Sequence, residues 1–191
     1  MKNLLLIGLA VLMIVACNST EDKAKKSADK NPLKVTDPLA NLDPQYLEQD
    51  TVDAIFIPYN PSTMQWLGED LKPTMFYMED LDTLNFIIKV CVGNYNLEQV
   101  DHYNELTKEH PDAEYNIDDF VIRLSRYARQ YVPYINKEGD RIVWINCFCL
   151  EAGEDIPGEV VQVKDGGNCY FSLKVNISKM EYFDFHVNGS A

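Results

Sequence analysis

A chain of 191 residues, 46% of them hydrophobic and 11% aromatic, is the size of a single folded domain and buries roughly two-thirds of its unfolded surface. That excludes both intrinsic disorder and a miniprotein dependent on disulfides. Its 30 Asp and Glu against 17 Lys and Arg, a formal net charge of -13, exclude nucleic acid as a partner, because phosphate binding rests on clustered Lys and Arg.

Met1-Lys2-Asn3 is followed by an unbroken small and apolar run over 4–16, and then by Cys17. About 20 apolar residues are needed to span hydrocarbon; a shorter run behind a positive start, with a small residue at its end, predicts a signal peptide over 1–16. The end of the run, Ile14-Val15-Ala16-Cys17, resembles the lipobox of bacterial lipoproteins. That resemblance implies that Cys17 becomes the lipidated first residue of the mature protein, its palmitate-type chains the membrane anchor. Each buried methylene contributes about 0.8 kcal/mol, so several chains on one Cys give stable attachment.

Residues 17–44 lack apolar periodicity and contain Pro32, Pro38 and Pro44. They predict a flexible tether with a typical span of about 30 Å. Charges cancel within it, so the imbalance falls on a single acidic α+β domain over 45–191, where 25 acids face 11 bases. Such a domain avoids anionic headgroups and attracts basic partners. Asn18-Ser19-Thr20-Glu21-Asp22 is similar to the surface-export signal of one group of Gram-negative lipoproteins. The expected location is therefore the outer membrane, lipid-anchored and facing outward, with the periplasmic face as the alternative.

Within the domain, 51–59 is β-branched and aromatic and predicts a short strand, with a loop containing Trp66 after it. Over 79–95 the residues Leu81, Leu84, Ile87, Ile88, Cys91 and Tyr95 follow one helix face, with Glu79, Asp80 and Asp82 at its N-terminal end and Gly93-Asn94 suited to its last turn. A polar segment over 97–110 predicts a second, surface helix ending before Pro111. Next, 127–136 and 141–150 flank the loop Lys137-Glu138-Gly139-Asp140, a hairpin in which Gly139 supplies a positive φ. A second hairpin is predicted from 159–164 and 169–177 around Asp165-Gly166-Gly167-Asn168, and 180–187 closes the meander. Phe120, Val121, Leu124, Ala128 and Tyr131 fit helical spacing as well as a strand; the need for a partner to 141–150 favours strand from about Tyr127. The expected fold is α+β, one long helix packed on a curved antiparallel meander of four to five strands, a cystatin-like or NTF2-like arrangement.

Five segments, Arg129-Gln130-Tyr131-Val132, Tyr134-Ile135-Asn136, Val143-Trp144-Ile145-Asn146-Cys147-Phe148-Cys149, Asp165-Gly166-Gly167-Asn168-Cys169-Tyr170-Phe171 and Tyr182-Phe183-Asp184-Phe185 with Val187-Asn188-Gly189, resemble a family of small bacterial secreted proteins and lipoproteins with no known activity. The resemblance covers 126–191 and implies no catalytic residue, cofactor or ligand.

Four cysteines lie in the domain: Cys91, Cys147, Cys149 and Cys169. Cys147 and Cys149 share one strand face and do not readily bridge each other. A disulfide from either to Cys169 or Cys91 suits an exported protein, and buried apolar thiols are the alternative. A thiolate metal site completed by Cys91, Cys169 or His186 lacks the C-x-x-C or histidine pair that metal spacing requires, so no metal and no cofactor are expected. Asp80-Leu81-Asp82 begins like a calcium loop but has Leu84 and Asn85 where a ligand and a Gly belong.

Asp184 and His186 share a strand face, and the hairpin around Lys179 brings Ser172 opposite His186, the raw material of a nucleophile and base. Mid-strand serines lack the exposed turn and oxyanion donors that catalysis needs, so no catalytic residue is assigned. His102 and His110 read as solvated. The adjacent acids Asp118-Asp119 and Glu154-Asp155 lack the separation across a cleft that glycosidic acid–base work requires. Asp50-Thr51-Val52 and Asp82-Thr83-Leu84 look like short bacterial O-glycosylation signals. The aromatics Tyr127, Tyr131, Trp144, Phe148 and Tyr170 are candidates for a stacking face, or for core and cross-strand pairs.

The sequence therefore predicts a lipid-anchored envelope protein that binds a protein, peptide or glycan without chemistry. The alternatives are an inhibitor or immunity protein capping a basic toxin or protease, and an envelope hydrolase.

Overall fold

The computed structural model describes residues 33–34, 53–150 and 153–189. The readings made for the signal peptide, Cys17, Asp50-Thr51-Val52 and nearly all of the 17–44 segment lie outside the described residues. The architecture is α+β: one long helix, α1 (Leu81–Glu109), lies on one face of an open mixed sheet.

Four strands form the antiparallel meander: β4 (Tyr127–Ile135), β5 (Arg141–Cys149), β6 (Tyr170–Asn176) and β7 (Glu181–Val187). Short strands extend it at both edges. β1 (Leu33–Lys34), from within the segment read as a tether, pairs antiparallel with β7; β2 (Ala54–Phe56) runs parallel to β4; and β3 (Lys72–Pro73) pairs antiparallel with β4. Pro133 cannot donate to a ladder, and it lies in the gap between β2, whose register ends at Tyr131, and β3, whose register starts at Tyr134.

The β4–β5 hairpin is set locally. Gly139 takes φ +86, and Asn136 both donates its backbone N–H to Asp140 O and accepts from Asp140 N at its side-chain oxygen. Its register pairs Tyr131 with Ile145 and Val132 with Trp144, so alternate residues divide between two faces. One face, with Tyr131, Val143, Ile145, Phe171 and Leu173, packs on Leu84, Ile87, Ile88 and Cys91 of the helix. The other, with Val132, Tyr134, Ile142 and Trp144, is covered by Ile57, Tyr59, Met64 and Leu67 from the loop between β2 and β3. Coverage on both faces is why β4 is buried from Tyr127 through Tyr134 instead of alternating in and out.

Two sequence expectations need correction. The helices expected over 79–95 and 97–110 are one element of 29 residues, about 43 Å long at 1.5 Å per residue. Gly93 is buried and does not end the helix. One turn on, Asn96 is buried and grips the neighbouring chain, donating to Ile122 O at 2.8 Å and accepting from Ile122 N at 2.8 Å. Beyond it the helix is largely exposed; Phe120 sits edge-on to Tyr103 and His102 there, at 5.5 and 5.9 Å between ring centroids.

The second correction is 159–164, expected to be a strand. It is irregular, and no hairpin joins it to β6. Its backbone bonds go to side chains instead of a neighbouring strand, and that difference shapes the site.

Candidate functional site

Two amide side chains on the sheet face opposite the helix build one wall of a cleft. Gln130, fully buried on β4, donates through Nε2 to Pro157 O at 2.9 Å and Glu159 O at 2.8 Å, and its Oε1 accepts from Val161 N at 2.9 Å. Asn146 on β5 donates through Nδ2 to Val161 O at 2.8 Å and to Gln130 Oε1 at 3.2 Å. Farther along, Asn188 donates to Val163 O at 2.7 Å and Asp165 O at 3.1 Å. The segment is thus strapped down by side chains that do the work of a missing strand.

The opposite wall is the loop carrying Trp66. Met64 N bonds Asn60 O, Ser62 N bonds Asn60 Oδ1, and a single 3-10 turn, Gln65–Leu67, follows with Leu67 buried. Lys174 fastens this turn to the sheet: its Nζ reaches Leu67 O at 3.3 Å while pairing with Asp184 Oδ2 at 3.0 Å. Trp66 stands edge-on to Trp144, with ring centroids 4.8 Å apart and planes at 76°. Although it touches the core this way, Trp66 remains 45% exposed.

Between the walls lie two adjoining clefts. The first, about 400 Å³, has Trp144, Asn146, Tyr170 and Ser172 among its lining, with Trp66 and Gln162 at its sides. The second, about 420 Å³, continues past Trp66 and Gln162 to Asn60, Thr63 and Glu159. Trp66 and Gln162 line both, so the pair divides one groove into two halves. Gly166 places Tyr170: it takes φ +106, and a Cβ there would meet the Tyr170 ring at 2.7 Å, so no other residue fits.

The stacking candidates divide between the faces. Tyr127 and Tyr131 lie in the helix-side core, and burial pushes the Tyr127 hydroxyl pKa well up. Phe148 is buried on the opposite side of the sheet, paired with Tyr170 across β5 and β6. Trp144 and Tyr170 line the groove. Trp66, which the sequence places only in a loop, is its most exposed aromatic; nothing in its sequence neighbourhood, where Met64 and Leu67 are buried, marks it as the exposed one.

Among the cysteines, Cys149 and Cys169 form a disulfide with Cα atoms 5.0 Å apart, while Cys91 and Cys147 are buried and lie outside any disulfide. Burial first, and then neighbouring Cys147, hold the Cys91 thiol well above its ordinary pKa despite a hydrogen bond with Tyr182. The disulfide closes the segment that carries the groove wall, joining the end of β5 to the 3-10 turn Gly167–Cys169 that leads into β6.

Ser172 and His186 face each other in the β6–β7 register. Asp184 sits at an irregularity in that register, with φ +51, and its carboxylate goes to Lys174. No hydrogen bond links the three into a relay among the described residues. Asp118 pairs with Arg123, and Asp118-Asp119 sit in a 3-10 turn. Asp80 pairs with Arg141, whose guanidinium lies 4.5 Å over the Tyr77 ring. Among the described residues no group of His, Cys, Asp or Glu gathers to hold a metal, and no helix is long and apolar enough to cross a membrane. No protein family, no curated protein and no solved structure matches the chain significantly.

Proposed function

We propose that the protein is a lipid-anchored lipoprotein of the bacterial outer membrane that binds an envelope or external ligand without transforming it, and that the groove divided by Trp66 is the binding surface. The observation that carries this reading is Trp66 itself. An indole left nearly half exposed, fixed edge-on against a buried partner and flanked by two clefts, is a rigid amphipathic anchor of the kind that dominates recognition sites. Around it stand amides and hydroxyls instead of a nucleophile with an activated base. The lipobox at Ile14-Val15-Ala16-Cys17 supports the anchor, and Glu21-Asp22 support outward placement.

The anchor is tested by metabolic labelling with palmitate, which Cys17→Ala abolishes. The binding reading is tested by incubating the protein with any ligand that perturbs its tryptophan emission and recovering that ligand intact. A product whose formation is lost in His186→Ala or Asp184→Ala contradicts it.

A second reading, a cap for a basic toxin or protease, is favoured by one feature. From Glu98 to Asp119 the chain carries Glu98, Asp101, Glu105, Glu109, Asp112, Glu114, Asp118 and Asp119 against Lys108 alone. Association through that end weakens steeply with salt; salt-insensitive binding contradicts it.

A further inference from the structure

We infer that the ligand of the Trp66 groove is a neutral glycan, with one sugar on each side of the indole; this rests on the binding reading above. The lining offers what a sugar needs and little that another ligand would use. Asn146 is 7% exposed, and its amide is oriented by its two donated bonds to Val161 O and Gln130 Oε1. Asn146 lines the first cleft, and among the described residues its hydrogen bonds are the two that Nδ2 donates, which leaves Oδ1 to accept from a ligand. A nearly buried, pre-oriented acceptor with no protein donor is a site for a ligand hydroxyl or N–H. Ser172 lines the same cleft, and Gln162 lines both halves, adding groups that donate and accept alike.

The charge pattern narrows the class. Among the described residues, the only charged side chain lining the first cleft is Lys164, and the only one lining the second is Glu159. One cation and one anion, in separate halves, provide no cluster for a phosphate, a sulfate or a polyanion.

An extended peptide is the competing occupant, and the backbone argues against it. Peptides that dock as added strands need free N–H and C=O groups on the receptor. In the wall, Val161 N and O are both taken by Gln130 and Asn146, and Val163 O is taken by Asn188. These bonds take up the inward-facing backbone of the wall at Val161 and Val163, the Gln162 side chain lines both halves of the groove, and the platform beside it is an indole on which the apolar face of a sugar ring packs. Trp66 serves both halves, so a single saccharide fills half the groove and a chain of sugars fills it all.

The chain's two tryptophans are Trp66 and Trp144, and both line the first cleft, so intrinsic emission reports on this site alone. The test titrates the protein as purified from the membrane of its producing cells, in mild detergent, with two pools. One pool contains neutral oligosaccharides of one to six units: α-1,4-glucan, β-1,4-glucan, β-1,4-mannan, β-1,4-xylan and β-1,4-linked N-acetylglucosamine. The other is a random heptapeptide library. The inference expects a saturable emission change with at least one oligosaccharide series, affinity rising from one unit to two or more. Trp66→Ala should weaken binding at least about tenfold, with recovery in Trp66→Tyr. Gln162→Ala, at an exposed position, should weaken it severalfold while leaving the fold untouched. A change produced by the peptide pool and lost in Trp66→Ala overturns the glycan assignment while leaving the binding site standing. Silence from both pools overturns both readings.

Discussion

Replacing Gln130 with Leu removes four hydrogen bonds from behind the groove wall in one step: to Pro157 O, Glu159 O, Val161 N and Asn146 Nδ2. A neutral hydrogen bond contributes about 1 kcal/mol net, which sets a ceiling of about 4 kcal/mol. Two effects lower it. Pro157 and Glu159 are exposed, so their freed carbonyls can turn to water, and the Leu side chain gains apolar burial in a fully enclosed position. The expected net loss is about 2 kcal/mol, read in urea as a midpoint lower by about 1 M with an unchanged slope.

The loss should also have a place. Amide exchange should accelerate across 157–164, while the β4–β5 hairpin keeps its protection until global unfolding. Gln130→Glu adds a sign. Its carboxylate would face two carbonyl oxygens, so its destabilisation should be small below about pH 4 and grow as pH rises through the carboxylate range. A Gln130→Leu protein with a midpoint within about 0.2 M of the parent and unchanged exchange over 157–164 would refute the idea that this side chain holds the wall.

Three further outcomes follow. Opening the Cys149–Cys169 bridge, which spans a separation of 20 residues, should cost about 3 kcal/mol in the chain-entropy description; a change below about 1 kcal/mol in Cys149→Ala/Cys169→Ala contradicts this. In a Cys17→Ser protein, iodoacetamide should label no thiol natively, Cys91 and Cys147 after unfolding without reductant, and all four domain cysteines after reduction; peptide mapping that finds Cys149 or Cys169 alkylated before reduction counts against the pairing. Hydrogen bonds from Lys179 and Asn176 hold the Asp140 carboxyl below its ordinary pKa, so its contribution is fully present above about pH 4 and lost as pH falls through the lower, folded value. Melting temperatures of the parent and Asp140→Asn should therefore differ at pH 7 and converge toward pH 2; a constant gap contradicts the linkage.

The meander was legible because its strands carry strong local signals. Long β-branched and aromatic runs flank a loop with Gly139, and Leu84, Ile87, Ile88 and Cys91 mark one helix face. What the sequence hid depends on distant side chains. Val160, Val161 and Val163 read as strand, yet Val161 is held by Gln130 and Asn146 and Val163 by Asn188, polar residues that resemble the solvent side of a strand when read alone. Gly93-Asn94 resembled a helix stop, but the signal that matters is Asn96, whose role exists only once Ile122 lies beside it. The five aromatics of the expected stacking face include odd and even positions on paired strands; the register that pairs Val132 with Trp144 and Tyr131 with Ile145 sends them to opposite sides. Trp66 reaches the site from a loop far in sequence from β5 and β6, the strands that carry Trp144 and Tyr170, and periodicity does not reveal that.

The most direct test of the groove as the binding surface is hydroxyl-radical footprinting of the protein on intact cells and again after purification. Met75 and Met78, 72% and 66% exposed and absent from the groove lining, serve as internal references. The account predicts that Trp66 oxidation, measured against those methionines, falls severalfold in the native envelope and returns when purified protein is freed of ligand. Equal Trp66 oxidation in both settings, with protection confined to 98–119, would contradict it and move the binding surface to the acidic end of α1.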